Sequence, residues 1–584
     1  MMGKILQSVQ ARVVLLEGWR AILVAVLAGA ASALAQAPYH GFFILWLTIP
    51  LFIWLLDGAV PRIKADGRTG VLGRFAPPFF VGWWFGFGYF LAGLWWIGQA
   101  FLVDGDEFAW LLPIAVLVLP AGLALFWGFA AAFARIISTE GWNRVIALAV
   151  MIALAEWLRG TVLTGFPWNA IGYALMPTPL FMQSAAFVGL YGMSFFAILV
   201  FGVLAPFGSA ALSDEGRSGA RFGRLVGPRA GVLFVLVLGV AHTSYGFVAL
   251  QRADTVADVA GMNLRLVQPA IRQSEKWDRA NEADIMARYF DLTNANRGPD
   301  AASVAAFTHV VWPESAFPFI LTDRRDQLAA IAALLPKDTT LITGAMRIER
   351  SASPSNPSQV FNALLVLNGS GEIVAASDKT RLVPFGEFLP FQGFLEGLGF
   401  QQLTQQQGGF ARGTVRQVMS VPGTPAFLPL ICYEIIFSGA VEAPLGTHDG
   451  KTGADAAANV GTNASTKTSA EGGRPRFIVN LTNDAWFGTT AGPYQHAHQA
   501  QVRAAETGLP VVRAANSGIS FVTDGAGRVR AQLGLDIRGV VDSRLPGALP
   551  PTVFSQLGNL PILAMLGLLF LILVGIRLFS TSKL

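Results

Sequence analysis

Seven predominantly apolar stretches fill the first 250 residues, residues 251–555 contain none of comparable length, and one more closes the chain. They lie at about 21–37, 41–57, 78–103, 109–134, 144–159, 180–207, 230–250 and 558–579. A helix needs roughly 20 apolar residues to cross a hydrocarbon core of about 30 Å. Most of the stretches reach that length, and 21–37 and 144–159 need flanking residues to finish the span. A soluble domain carries roughly 25% charged residues; this chain carries 14%. These features predict a membrane domain of seven helices at 1–250, a water-facing domain at 251–555 and a C-terminal transmembrane helix at 556–584.

The first apolar stretch also resembles a signal peptide, with Ala33-Leu34-Ala35-Gln36-Ala37 as a cleavage site. The apolar stretch that follows at once argues for a retained helical hairpin. Loop charge sets the orientation. Arg62, Lys64, Arg68 and Arg74 follow the second stretch, Arg135 and Arg144 flank the turn after the fourth, Arg217, Arg221, Arg224 and Arg229 precede the seventh, and Arg577 and Lys583 follow the eighth. The intervening loop at Asp104, Asp106 and Glu107 is acidic. Basic loops stay in the cytoplasm, so eight crossings place both termini there and residues 251–555 on the far side. The net charge of +5 is thus topological, and nucleic acid is not expected as a partner.

Within 251–555 the apolar runs are short. Strand-like runs fall at 264–268, 309–312, 340–344, 361–367, 427–432, 477–481, 511–513 and 519–523, with helix-like stretches at 279–296, 324–335 and 495–507. Alternating strands and helices indicate one large α/β domain. From 446 to 475 the composition collapses to Gly, Ala, Thr, Asn, Ser and Lys, the mark of a flexible insertion.

Three polar residues each follow an apolar run: Glu314 in Trp312-Pro313-Glu314-Ser315, Lys379 in Asp378-Lys379-Thr380, and Cys432 in Leu430-Ile431-Cys432-Tyr433-Glu434. Cys432 is the sole cysteine, so it forms no intramolecular disulfide. Singly, they read as a surface glutamate, a solvated lysine and a small core residue. Together at strand ends they could converge on one sheet edge. There the thiolate would attack, Glu314 would take its proton and Lys379 would stabilise thiolate and oxyanion.

The order Glu, Lys, Cys, each after a strand, resembles the nitrilase superfamily. The wording is closer to its membrane branch, the apolipoprotein N-acyltransferases of Gram-negative bacteria. The resemblance runs through nearly the whole chain, on Thr164-Gly165-Phe166-Pro167-Trp168, 267–277, Trp312-Pro313-Glu314-Ser315, Leu382-Val383-Pro384-Phe385-Gly386-Glu387, Cys432-Tyr433-Glu434 and Asn483-Asp484-Ala485-Trp486-Phe487-Gly488. It implies an α-helical membrane bundle of about eight transmembrane helices joined to an α/β nitrilase-like α-β-β-α sandwich. Glu314 is then the general base, Lys379 the oxyanion stabiliser and Cys432 the nucleophile. Glu387, Tyr433 and Glu434 support them, the two glutamates sharing in an undivided way the tasks of orienting Lys379 and tuning the thiol. Trp277 binds substrate from an arm over the lipid entrance. Asn483 to Gly488 shape the site, and Arg513 and Asn516 serve the fold.

The resemblance also implies a phospholipid acyl donor, typically phosphatidylethanolamine, and a diacylglyceryl apolipoprotein acceptor, with no cofactor and no metal, in a monomer of the bacterial inner membrane whose catalytic domain faces the periplasm. A membrane-tethered amidohydrolase shares the same three residues. A transporter would show ionisable residues inside its spans, of which Glu156 is the clearest here.

Overall fold

The computed structural model describes residues 2–59, 70–139, 141–209, 228–295, 303–351, 358–397, 402–404, 409–439 and 473–581. Most of the 446–475 insertion and the loop cations Arg62, Lys64, Arg68, Arg217, Arg221, Arg224 and Lys583 lie outside these residues. The chain divides into two compact units, one of Met1–Gly98, Leu111–Ala249 and Gln556–Leu584, the other of Gln99–Trp110 and Leu250–Ser555.

The first unit is helical. Six helices among the described residues are long and apolar enough to cross a membrane: Gly18–Ala35, Val71–Leu102, Gly105–Ile137, Ala185–Phe207, Arg229–Asp254 and Leu560–Phe579. The stretch at 41–57 forms a shorter apolar helix, Phe42–Gly58. The stretch at 144–159 forms Trp142–Thr161, which carries Arg144, Glu156 and Arg159 and is more polar than the six. The first and third stretches pack closely because Gly88 lies against the Val26 carbonyl, where a Cβ would come within 2.1 Å. Small residues let helix backbones approach in this way. The two limbs of the N-terminal hairpin are joined by the Ser32 hydroxyl, which donates to Thr48 Oγ1 at 2.7 Å.

The second unit is built on twelve strands: β1 Asp258–Gln268, β2 His309–Val311, β3 Thr340–Glu349, β4 Gln359–Leu367, β5 Ile373–Asp378, β6 Met419–Val421, β7 Thr424–Ile431, β8 Phe477–Thr482, β9 Val511–Ala515, β10 Ser520–Thr523, β11 Val529–Leu533 and β12 Gly539–Pro546. They form two six-stranded sheets, ordered β12-β1-β2-β3-β4-β5 and β11-β10-β9-β8-β7-β6. The β1–β2–β3 and β7–β8–β9 runs are parallel, and the outer pairs are antiparallel.

Side-chain alternation builds the layers. Leu264, Leu266, Val311, Ile342 and Val366 meet Phe427, Ile431, Val479, Leu481 and Val512 between the sheets. Val267, Val310 and Leu365 point the other way, onto Ile285, Tyr289, Leu292 and Ile331 of the helices Glu282–Asn294 and Arg325–Leu334. On the second sheet the helix Ala491–Thr507 packs against β9. Strands covered on both faces read as continuous apolar runs rather than alternating ones, which is why the central strands show in the sequence. The four strands that the sequence reading omits, β5, β6, β11 and β12, are edge strands or neighbour an edge and carry mixed polarity. Cys432 lies just past its strand, opening a short 3-10 turn, Cys432–Ile436.

Candidate active site

Three strands end at the same functional group of side chains. β2 runs out into Glu314, β5 into Lys379 and β7 into Cys432. In parallel α/β sheets ligand sites form beyond the carboxyl ends of the strands. Non-glycine residues at positive φ stand at Ser315 (49°), next to Glu314, at Cys432 itself (49°) and at Phe385 (61°), in the Pro384–Phe388 turn that carries Glu387. Such residues cost of order 1–3 kcal/mol each and collect at active sites, where surrounding structure holds them. Beside Glu314 the support is Gly344 of β3, whose Cβ would lie 2.6 Å from the Glu314 Cα. Only a glycine lets the two backbones meet there.

Glu314, Lys379 and Cys432 are all buried, unlike a surface glutamate or a solvated lysine. Lys379 Nζ donates to Glu387 Oε1 at 2.9 Å and to Glu314 Oε1 at 3.4 Å. Asn362 Nδ2 bridges the same two oxygens, at 2.7 Å to Glu314 and 3.0 Å to Glu387. Among the described residues Glu314 Oε2 accepts no hydrogen bond, which leaves it able to take a proton. Burial would lower the Lys379 ammonium, but Glu387 and then Glu314 outweigh it and hold the charge firmly on. Burial and the Glu314 carboxylate push the Cys432 thiol up, with Lys379 working against them. The balance favours the protonated thiol over the thiolate. The Thr482 hydroxyl lies 3.3 Å from the Cys432 Sγ.

The two supporting glutamates separate by position. Glu387 touches Lys379 and takes the Val383 N–H at 2.8 Å. Glu434 touches neither the lysine side chain nor the sulfur. It accepts from the Thr380 N–H and hydroxyl, the Arg381 N–H, Arg416 and, on its other oxygen, the Ile431 N–H. It thereby ties the residues after Lys379 to the residue before Cys432. Burial would raise this carboxyl, but Arg416 and the Ile431 N–H hold it below the usual range. Tyr433 is buried with its ring edge-on to Phe437. Trp277 is 44% exposed, at the end of the short helix Gln273–Lys276.

Behind Cys432 lies a second buried set. Asp484 accepts from Arg513 at 2.7 Å and Thr482 at 3.0 Å and contacts His496 Nδ1 at 2.8 Å, while His496 Nε2 lies 3.2 Å from the Cys432 carbonyl oxygen. Burial opposes ionisation of Asp484, yet Arg513 and His496 bring it down to about 2. Arg513 is thus linked through Asp484 and His496 to the Cys432 backbone. Asn516 joins Asn483 to the Ile271 backbone. Asn362, Thr482 and His496 were not singled out in the sequence. Asn362 had a signal, an amide inside the apolar run of β4, since buried polar groups demand partners. His496 had none at sequence level.

The family model described as Apolipoprotein N-acyltransferase N-terminal domain matches residues 28–203, and the one described as Carbon-nitrogen hydrolase matches 263–548. Proteins called apolipoprotein N-acyltransferase from Brucella suis biovar 1 (strain 1330) and Bradyrhizobium diazoefficiens are each 43% identical, with 98% of both chains covered. That from Rhodopseudomonas palustris is 40% identical over the same shares. The chain belongs to the apolipoprotein N-acyltransferase family. Membership makes it an acyltransferase, and its long apolar helices make it a multi-pass membrane enzyme. Among solved structures, an amidase from Nesterenkonia sp. aligns with 53% of this chain and 98% of its own at 16% identity and a TM-score of 0.30.

Proposed function

We propose that the enzyme moves a fatty acyl chain from a membrane phospholipid, phosphatidylethanolamine being the expected donor, onto the N-terminal amine of a diacylglyceryl apolipoprotein through a thioester on Cys432. The observation that carries this reading is the buried Glu314–Lys379–Glu387 cluster gathered at the strand end that bears the only cysteine. In the first half-reaction Glu314 Oε2 takes the thiol proton as the sulfur bonds to the ester carbonyl carbon. The oxyanion forms beside Lys379 and the Tyr433 N–H. Collapse breaks the C–O bond, and the leaving lysophospholipid oxygen receives the proton from Glu314. In the second half the acceptor amine attacks the thioester, Glu314 takes its proton, and the thiolate leaves and is reprotonated. Splitting the transfer in this way gives ping-pong kinetics.

Exposed Trp277, Phe385, Phe391 and Phe394 on the segments that carry Lys276, Lys379 and Glu387 suit acyl chains better than a water-borne amide. The domain layout is 1–250 with seven crossings, 251–555 in the periplasm with the insertion at 446–475, and 556–584 with the eighth crossing, in a monomer of the inner membrane. Its support is loop charge. In a Cys432→Ala background, Asp106→Cys is labelled by an impermeant maleimide in intact spheroplasts and Arg577→Cys is not; the reverse refutes the layout. The chemistry is tested by incubating purified protein with phospholipid alone and measuring intact mass. A hydroxylamine-labile acyl adduct, absent in Cys432→Ala, is required. Transfer without such an adduct would overturn the covalent mechanism.

A further inference from the structure

Lys276 is a fully buried lysine that the mechanism above does not use. Its Nζ makes a single hydrogen bond among the described residues, donated to the Glu314 main-chain carbonyl at 3.3 Å. It also sits 6.0 Å from the ring centre of Trp277, the exposed residue next to it. An ammonium taken out of water with so few acceptors is costly, and burial draws its pKa down to about 8, with Glu314 and Cys432 both acting in its favour. Those two are the base and the nucleophile, so the lysine lies in the field of both reacting groups.

A charge count shows what it does there. Around the sulfur, Asp484 is balanced by Arg513, with His496 held toward its neutral form by burial and Arg513. Glu434 is balanced by Arg416. Arg381, half-buried over the Phe437 ring, and exposed Arg412 reach water. That leaves two carboxylates, Glu314 and Glu387, against one ammonium, Lys379. The buried set sums to −1 without Lys276 and to zero with it.

We propose that Lys276 is a positioning residue of the acylation site: its ammonium completes the charge balance under which a proton passes from Cys432 to Glu314, and its hydrogen bond holds the turn that presents Glu314. The inference rests on Cys432 as nucleophile and Glu314 as base. The proton transfer itself conserves charge, moving one negative charge from a carboxylate oxygen to sulfur, and Lys276 faces both ends of that move. Its neighbour Trp277 is at the surface, so one short turn carries an outward residue for substrate and an inward one for the sulfur.

The sole cysteine makes the test clean. The rate of Cys432 alkylation by iodoacetamide is followed from pH 6 to 10 on the full-length protein in detergent, with unfolding midpoints measured alongside. Lys276→Met labels about tenfold more slowly at pH 7, as for a one-unit rise of the thiol, and the difference closes above about pH 8, where Lys276 itself loses its proton. Lys276→Arg stays near wild type, because it keeps the buried positive charge. If Lys276→Met does not fold, Lys276→Gln, which removes the charge but can still donate to the Glu314 carbonyl, is read instead. The inference is overturned by an uncharged Lys276 variant whose profile superposes on wild type, or by Lys276→Arg being as slow as that variant. Absence of any phospholipid-derived adduct on wild-type Cys432 sinks the thioester reading instead, and the alkylation profiles do not depend on it.

Discussion

Each unit of this molecule buries a glutamate against a cation, and the two are put to different use. In the helical unit Glu156 and Arg159 sit one turn apart with no exposed side-chain surface. Glu156 accepts from Trp127 on one oxygen and from Arg159 on the other, and Arg159 also donates to the Phe166 and Trp168 carbonyls. Every strong acceptor there is met by a fixed donor, and the pair pins the Phe166-Pro167-Trp168 loop. Nearby, Gln36, Tyr89 and Asn169 form a further closed chain of hydrogen bonds. In the sandwich, Glu314 keeps one oxygen without a donor among the described residues, and its partners face a sulfur atom. A buried glutamate with a donor on each oxygen is a structural fastener; one with an open oxygen beside the cysteine suits the proposed role of base. Glu156, the ionisable residue that the transporter reading singles out, is locked to its neighbours.

The contrast can be broken most directly at the Glu314 end. Cys432→Ala, Glu314→Gln and Lys379→Met should each suppress the acyl adduct by about 10²-fold or more, since one oxyanion donor alone is commonly worth roughly 3–4 kcal/mol. Their unfolding midpoints should stay near wild type, and near-normal turnover in any of them would remove its assigned role.

At the fastener end the expected outcome is reversed. Glu156→Gln leaves Arg159 buried and uncompensated, which costs about 3–5 kcal/mol of stability. Replacing both residues, as Glu156→Gln/Arg159→Met, recovers part of it. Acylation per folded molecule should be unchanged in either, and a specific loss of rate in well-folded protein would make the pair functional.

Glu387 and Glu434 sharpen the comparison within one unit. Glu387→Gln should slow acylation with little change in stability, because it loosens the grip on Lys379. Glu434→Gln should lower the unfolding midpoint as well, because the two chain segments it joins lose a charged acceptor worth about 1.5–3 kcal/mol per hydrogen bond. Equal effects on rate and stability in both variants would erase the division.

The Asp484 set makes a pH-dependent case. Its folded pKa of about 2 lies below the usual carboxylate value, so its contribution is present above about pH 4 and is lost as pH falls through the folded value. The size is about 2–3 kcal/mol. The wild-type melting midpoint should therefore fall more steeply between pH 4 and 2 than that of Asp484→Asn, and parallel curves would refute the assignment. The smallest effect is expected from replacing most of 446–475 by a short linker. Loop length costs only about 0.6 kcal/mol per doubling, so activity should persist; a folded deletion without transfer would give the insertion a role.

Much of this was legible in the sequence because the signals are local. Apolar length marks six membrane helices, and continuous apolar runs mark the central strands β1 to β4 and β7 to β9, since a strand buried on both faces has no polar side to show. The edge strands β5, β6, β11 and β12 left no such run. Glu314 and Cys432 were legible because each follows an apolar strand, and Lys379 because the order of the three resembles a known pattern. Their environment was not. Lys276 stands 38 residues from Glu314 and Asn362 stands 48, and nothing in either local stretch says which carboxylate it will meet. The separate duties of Glu387 and Glu434, and the net charge of zero around the sulfur, depend on which side chains two sheets bring to one end of a sandwich. Burial raises the energetic weight of each such contact, and burial is a property of the packed structure that no single segment carries.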